Sequence, residues 1–309
     1  MTTEQILLQN TTKTWKIEQL ILIGLSRTEI ARLITNGNYG FVQNVYAKMK
    51  GQGRLNLMAE MNFTPTDFNR RFGVEIECHG VDKERVSRLI REQGVECNVE
   101  SYNHATRLGW KIVTDGSLNG SNAFEIVSPI LEGSDGMSQL NIVCDVLHTT
   151  RAKINKSCGL HIHFDASGFG LPQIKNILLN YSAFENDIDS FMPESRRASN
   201  NSYCKTLRGY ETKIERATSI QSLATAFGGR YFKVNMQSYA RHNTIEFRQH
   251  SGTVEFEKIA NWILFLHNLV EYSKTKKVLA SEASFESFQK FNQPEVVNYL
   301  TTRINQLAA

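Results

Sequence analysis

Between residues 72 and 79 the chain alternates: Phe72, Val74, Ile76 and Cys78 are apolar, and Gly73, Glu75, Glu77 and His79 between them are not. Side chains two apart on a strand share a face, so this segment has one face to bury and one that carries carboxylates. No other feature constrains the fold as much, because such a strand needs a sheet covered on one side and open on the other. Residues 110–114, 123–128, 160–165, 231–236 and 244–250 read as further strands. Helical spacing marks 82–93, closed by Gly94, then 134–147, a long helix opened by Pro172, 255–273, and a last helix near 295–307. The expectation is an α+β domain, one sheet of about six strands with helices on one face and the functional site on the other.

The first 54 residues follow a different period. Ile17, Leu20 and Ile21, then Ile30, Ala31, Leu33 and Ile34, then Phe41, Val42, Val45 and Met49 recur at helical spacing. Ser26 with Glu29 forms a capping box at the start of the second helix, and Thr35-Asn36-Gly37-Asn38 is a turn. Three short helices over 13–50 form a helix-turn-helix-like arrangement, with Asn38, Tyr39, Gln43, Asn44 and Lys48 on the recognition helix. A helical docking or dimerisation module without nucleic acid is the competing reading of the same pattern. Residues 55–70, with Pro65, read as a linker to a catalytic domain over 71–309.

The whole chain carries 35 Lys plus Arg against 31 Asp plus Glu, a net charge of +4 that does not by itself announce a nucleic-acid binder. Its distribution is more specific: seven basic and two acidic residues fall between Lys13 and Arg54, a local +5. With 41% hydrophobic and 21% charged residues the chain is expected to be globular. No apolar run reaches the ~18 residues of a membrane span. Five cysteines without a CxxC spacing, and no secretory leader, point to a reducing cytoplasm and no membrane partner.

On the strand faces, charged and imidazole groups converge. Glu75 and Glu77 share one face; Glu125 stands alone in an uncharged strand; His161, His163 and Asp165 share a face; and Thr244, Glu246, Arg248 and His250 share another. Carboxylates on neighbouring strands repel one another unless a cation neutralises them. Oxygen donors with histidine, no thiolate motif and an adjacent Arg suit Mg²⁺ with a phosphate better than Zn²⁺. Cys158 beside His161 and His163 could form a nucleophile pair, but no activating helix N-terminus accompanies it, and a buried small residue is the better account. His104, His148, His242 and His267 read as surface or satisfied core groups.

Taken in order, Gly73-Val-Glu-Ile-Glu77, Asp115-Gly-Ser117 with Glu125-Ile-Val-Ser-Pro129, Cys158-Gly-Leu-His-Ile-His163, Arg230-Tyr-x-x-Val-Asn235 and Thr244-Ile-Glu-Phe-Arg248 with Gly252-Thr253 resemble the amidoligases of the carboxylate-amine ligase and glutamine synthetase superfamily. The resemblance spans about 71–272 and leaves the N-terminal helices outside it. It implies an antiparallel sheet curved around ATP and Mg²⁺ (or Mn²⁺), where a carboxylate is phosphorylated and an amine then displaces phosphate. Glu75, Glu77, Glu125 and Glu246 would hold the metals, with His163 as the imidazole ligand by its place in the motif. His161 would sit beside it or contact the carboxylate substrate. Arg248 would stabilise charge on the transferring phosphoryl group, making Glu75, His163, Glu246 and Arg248 the catalytic set. Arg230, Lys233 and Asn235 would contact nucleotide or phosphates. The loop around Ser195-Arg196-Arg197 resembles the one that follows the long helix in these ligases, and its arginines could grip an acidic substrate.

The substrates implied are a carboxylate and an amine on a small molecule, a peptide or a nucleic acid, with nucleic acid itself a partner of residues 13–54. A DNA-binding regulator whose ligase-like domain senses a nucleotide or amino acid without turnover is the alternative. A Zn²⁺ hydrolase built on His161 and His163 is disfavoured, because no third His or Cys ligand is spaced to complete it.

Overall fold

A computed structural model describes residues 2–23, 25, 27–52 and 68–308, and the chain divides into two compact units, 1–69 and 70–309. In the first unit, α1 (Thr3–Leu7), α2 (Lys13–Leu22), α3 (Arg27–Thr35) and α4 (Tyr39–Gly51) enclose a core that includes Ile17, Leu20, Ile30, Val42, Tyr46 and Met49. The α3–α4 turn reverses through left-handed backbone at Asn36 (φ 51°) and Gly37 (φ 84°), a conformation that glycine adopts without steric cost. Two residues of the expected recognition helix have other duties. Asn38 caps α4 by accepting from the Phe41 N–H at 3.2 Å, and Gln43 accepts from Arg27 Nη1 at 2.9 Å, while Asn44 and Lys48 stay exposed. The expected cap at Ser26 and most of the expected linker lie outside the described residues.

The second unit is α+β. Its strands are β1 (Phe72–Cys78), β2 (Cys97–Glu100), β3 (Trp110–Val113), β4 (Phe124–Val127), β5 (Leu160–Asp165), β6 (Val234–Asn235) and β7 (Thr244–Phe247). They form one sheet in the order β2-β3-β4-β1-β5-β7-β6. The helices are α5 (Lys83–Glu92), α6 (Gly133–Thr149), α7 (Leu171–Ala183), α8 (Glu185–Ser190), α9 (Glu211–Arg216), α10 (Ile220–Ala226), α11 (Gln237–His242), α12 (Phe256–Ser273) and α13 (Pro294–Ala308).

The apolar face of β1 is buried throughout, as are Ile162 and Phe164 of β5 and Ile245 and Phe247 of β7. Tyr181 of α7 packs on Phe247 with ring centroids 5.6 Å apart, and His267 of α12 packs on Phe164 at 6.3 Å, so these helices cover that face. Burying such aromatic rings contributes much of the drive for the layer packing.

The curved, wholly antiparallel, glutamine synthetase-like sheet of about six strands is not what forms. The sheet has seven strands, is mixed because β2 runs parallel to β3, and is neither closed nor strongly curled. Four residues of Cys97-Asn98-Val99-Glu100 are too few for an alternation to stand out, and the parallel pairing arises because 101–109 returns the chain to the starting end. Closure would require β2 to meet β6, yet β6 has only two residues. The concavity is built instead by segments standing on the sheet.

Candidate active site

Register across the sheet sets the site. Glu77 on β1 pairs with Glu125 on β4, Glu75 with His161 on β5, His163 with Glu246 on β7, and Glu246 with Asn235 on β6. Because these positions share the uncovered face, the side chains meet on the floor of a cleft of about 980 Å³. Its walls come from 101–104, 115–119, 156–157, 196–203, 230–231 and α11.

At the centre, His161 Nδ1 lies 2.9 Å from Glu75 Oε2 and 3.7 Å from Glu246 Oε1. His163 Nδ1 lies 3.1 Å from Thr244 Oγ1. Its Nε2 is 3.2 Å from Glu75 Oε1, yet it is buried without a hydrogen-bond partner. One ligand atom each from Glu75, Glu125 and His161, and from Glu75, His163 and Glu246, lie within 4.8 Å of one another, so two groups share Glu75. Oxygen-rich sets with one imidazole, together with the orphaned His163 nitrogen, fit a divalent cation.

Charge is unevenly held here. Burial alone would raise the Glu75 and Glu246 carboxyls, but His163 beside Glu75, and Arg248 with His163 beside Glu246, hold both below the usual range. Burial, then the nearby charges of Glu75 and Glu77, drives the Glu125 carboxyl well above that range. Burial opposes protonation of His163, and Glu75 and Glu246 more than offset it.

The remaining expected residues separate into those in the cleft and those outside it. Glu77 lines the cleft but joins neither group: its Oε2 accepts from the Gly159 N–H and its Oε1 lies 3.7 Å from His161 Nε2. Arg248 pairs with Glu246, and Asn235 Nδ2 donates to Glu246 Oε2 at 2.6 Å. Arg230 stands at the rim with its guanidinium 5.3 Å from the Tyr231 ring centroid.

Lys233, expected at the nucleotide, is elsewhere. Fully buried, it donates to Glu185 Oε1 at 2.9 Å and Asp189 Oδ1 at 2.6 Å on α8. Extended alternation fails there because β6 begins only at Val234. For the same reason His250, which follows the end of β7 at Phe247, is turned out of the cleft face and stacks near Trp262 at 5.6 Å. Asp165, the last residue of β5, accepts from Ser167 N and Arg71 Nη2.

Some cleft residues carried no sequence signal. Tyr102, His104, Arg241 and His242 line the walls, and the two histidines had read as surface or satisfied core groups. Lys111, 3% exposed, holds the Tyr102–His104 wall in place by donating to Asn103 O, Asn103 Oδ1 and Ala105 O at 2.7–3.0 Å. Its only trace in the sequence is a lysine inside an apolar strand.

A family model described as "Putative amidoligase enzyme" matches residues 68–270, more than half of the chain. No curated protein matches it.

Proposed function

We propose that this chain, which belongs to the amidoligase family, joins a carboxylate to an amine using ATP. The pair of Glu–His groups that share Glu75, bordered by Arg248, carries the reading. Phosphoryl transfer depends mostly on positioning and charge neutralisation, which is what clustered carboxylates, imidazoles and a guanidinium supply. Bound Mg²⁺ or Mn²⁺ would neutralise phosphate charge and orient the reacting oxygens.

Glu75, Glu125, Glu246, His161 and His163 are the residues to hold that ion. Glu77, fastened to the Gly159 N–H, braces the ring of His161. Asn235 holds one oxygen of Glu246, and Arg248 pairs with the other. The Arg248 guanidinium would stabilise the charge that spreads over the γ-phosphoryl oxygens. Arg230 and Tyr231 at the rim are suited to the nucleotide. A carboxylate oxygen of the substrate attacks the γ-phosphorus and ADP leaves. The amine nitrogen then attacks the acyl carbon, phosphate departs and the nitrogen loses a proton. A volume of about 980 Å³ lies near the top of the ~300–1,000 Å³ range of ligand sites, enough for a nucleotide and a second reactant.

The N-terminal unit, with its local +5 charge, directs the enzyme to a nucleic acid or a protein bearing one of the substrates. The test of the activity is nucleotide consumption by the full chain with Mg²⁺ and pooled carboxylates and amines. The reading expects ADP and phosphate, with amide formed, only when both substrates are present. AMP with pyrophosphate, or amide chemistry indifferent to ATP, overturns it.

A further inference from the structure

Thr244 opens β7 two residues before Glu246, so both side chains stand on the cleft face. His163 on β5 lies directly opposite Glu246, which makes Thr244 its diagonal neighbour across the pair of strands. Thr244 Oγ1 reaches His163 Nδ1 at 3.1 Å, and among the described residues that hydroxyl has no other hydrogen bond. The residue is also held through its backbone. Its carbonyl accepts from Ser238 Oγ of α11 at 2.7 Å, and Asn243 before it takes the left-handed backbone (φ 54°) that turns the chain from α11 into β7. A β-branched side chain has few rotamers on such a backbone, so the oxygen is fixed where the imidazole meets it.

A neutral imidazole carries its hydrogen on one ring nitrogen and a lone pair on the other, and only the lone pair can ligate a cation. His163 Nε2 is buried, and although Glu75 Oε1 is 3.2 Å away, the two make no hydrogen bond. A hydrogen on Nε2 would therefore be stranded. With Nδ1 engaged by Thr244, Nε2 is the nitrogen left for the group of Glu75, His163 and Glu246. Oγ1 accepting from Nδ1–H keeps the lone pair on Nε2. The reverse arrangement, the hydroxyl donating to Nδ1, would put the hydrogen on Nε2 and shut out a cation. His161 has no such neutral partner: its Nδ1 is 2.9 Å from Glu75 Oε2 and its Nε2 is 3.7 Å from Glu77 Oε1, so carboxylates stand at both nitrogens.

We propose that Thr244 is a positioning residue that fixes the ring and tautomer of His163 and so presents Nε2 bare to a divalent cation shared with Glu75 and Glu246. The proposal rests on the cation-site reading of the cleft and deepens it by naming the group that sets one ligand in its binding state. Thr244 itself touches neither cation nor substrate. Outer partners of a ligating histidine typically govern roughly 10–100-fold of metal affinity. Since the carbonyl of the same residue is tied to Ser238, the wall helix α11 and a ligand of the cation are held by one strand position.

Calorimetric Mn²⁺ titration of the full chain tests this without turnover. Thr244→Val, which keeps the branched shape and removes the hydroxyl, is expected to weaken Mn²⁺ by about tenfold or more, and Thr244→Ser to stay within about threefold of the parent. In a His163→Gln background, where Glu75, Glu125 and His161 still offer ligands, Thr244→Val is expected to change the affinity by less than about twofold, because its effect runs through the ring. Unchanged Mn²⁺ affinity in Thr244→Val, or an equal loss in both backgrounds, overturns the proposal and leaves the ligase reading standing. Should Thr244→Val fail to fold, nitrogen-15 NMR of the Mg²⁺-loaded parent reads the tautomer directly, with the His163 ring assigned by its absence in His163→Gln. Hydrogen on Nδ1 is expected there, and hydrogen on Nε2 overturns the proposal. A parent that binds no Mn²⁺ removes the cation site and the proposal together. Thr244-dependent Mn²⁺ binding alongside a failed ligase assay supports the proposal and counts against the activity alone.

Discussion

Replacing Lys233 by Met should destabilise the second unit without touching the cleft. The lysine is fully buried between Glu185 and Asp189, at 2.9 and 2.6 Å, and α8 is held to β6 through it. Removing one partner of a buried ion pair costs roughly 3–5 kcal/mol, because the other charge is left uncompensated. Here the stranded carboxylates keep other donors: Glu185 has Thr206 Oγ1 and Leu207 N, and Asp189 has Gln249 Nε2 and Ala198 N. That places the loss at the lower end, ~3 kcal/mol. In a unit of this size each kcal/mol moves the melting temperature by ~2–4 °C, so Lys233→Met should melt ~6–12 °C below the unchanged protein. Adding Glu185→Gln should recover part of the loss, since one stranded charge is then gone. Scanning calorimetry with parallel urea titration reads both. A Lys233→Met protein that melts within 2 °C of the parent, or that binds ATP more weakly at unchanged stability, would refute the structural role and return Lys233 to the nucleotide.

Other perturbations separate the parts of the site. Glu75 belongs to both Glu–His groups and Glu246 to one, so in Mn²⁺ titrations Glu75→Gln should weaken all binding at least tenfold while Glu246→Gln spares part of it; equal, undiminished binding in both variants would falsify the cation site. Arg248→Lys should lower kcat by ~10² with less effect on ATP affinity, because an ammonium cannot match a planar phosphoryl group; full kcat in this variant removes Arg248 from the reaction. Burial, then the charge of Lys258, holds the His250 ring down at about 3, so the unfolded chain binds the extra proton first. Stability should therefore be complete above about pH 6.5 and fall by up to ~1.4 kcal/mol per pH unit on the acid side, a slope His250→Gln should flatten; identical slopes in urea titrations between pH 4 and 6.5 would count against it. If exposed Arg32 and Lys48 meet phosphates, Arg32→Gln and Lys48→Gln in the full chain should each lower the salt slope of nucleic-acid binding by about one, and no salt-dependent binding at low ionic strength leaves the unit a protein-docking element.

How far a sequence discloses such a site depends on backbone regularity. Glu75, Glu77, Glu125, His161, His163 and Glu246 occupy continuous strands, where alternate residues share a face, and register across the sheet carries them to one floor. Lys233 and His250 lie just outside two short strands, where alternation no longer decides which face a side chain takes. Tyr102 and Arg241 belong to a loop and a short helix, whose placement is decided by tertiary hydrogen bonds with no periodic trace, and Arg196, in a turn, was singled out only by the resemblance of its loop. Cys97–Glu100 was invisible as a strand because its partner, β3, is what makes it one. The curved sheet was implied by resemblance alone, and an open, mixed sheet replaces it because β6 is too short an edge to meet β2.

Walls and floor in this cleft differ in how they can be altered. The floor lies mainly on β4, β1, β5 and β7, each bonded to neighbours on both sides, so a residue inserted there would throw every later side chain onto the opposite face. Segments 101–109 and 196–203 obey no such parity: they are tied at a few points, Lys111 for one and Gln249 for the other. Loops of that kind tolerate changes of length. On the ligase reading the reacting groups and the groups that choose the substrate would then lie in separable parts of the chain, and exchanging these two segments between proteins of the same architecture should change specificity while leaving the reaction itself in place.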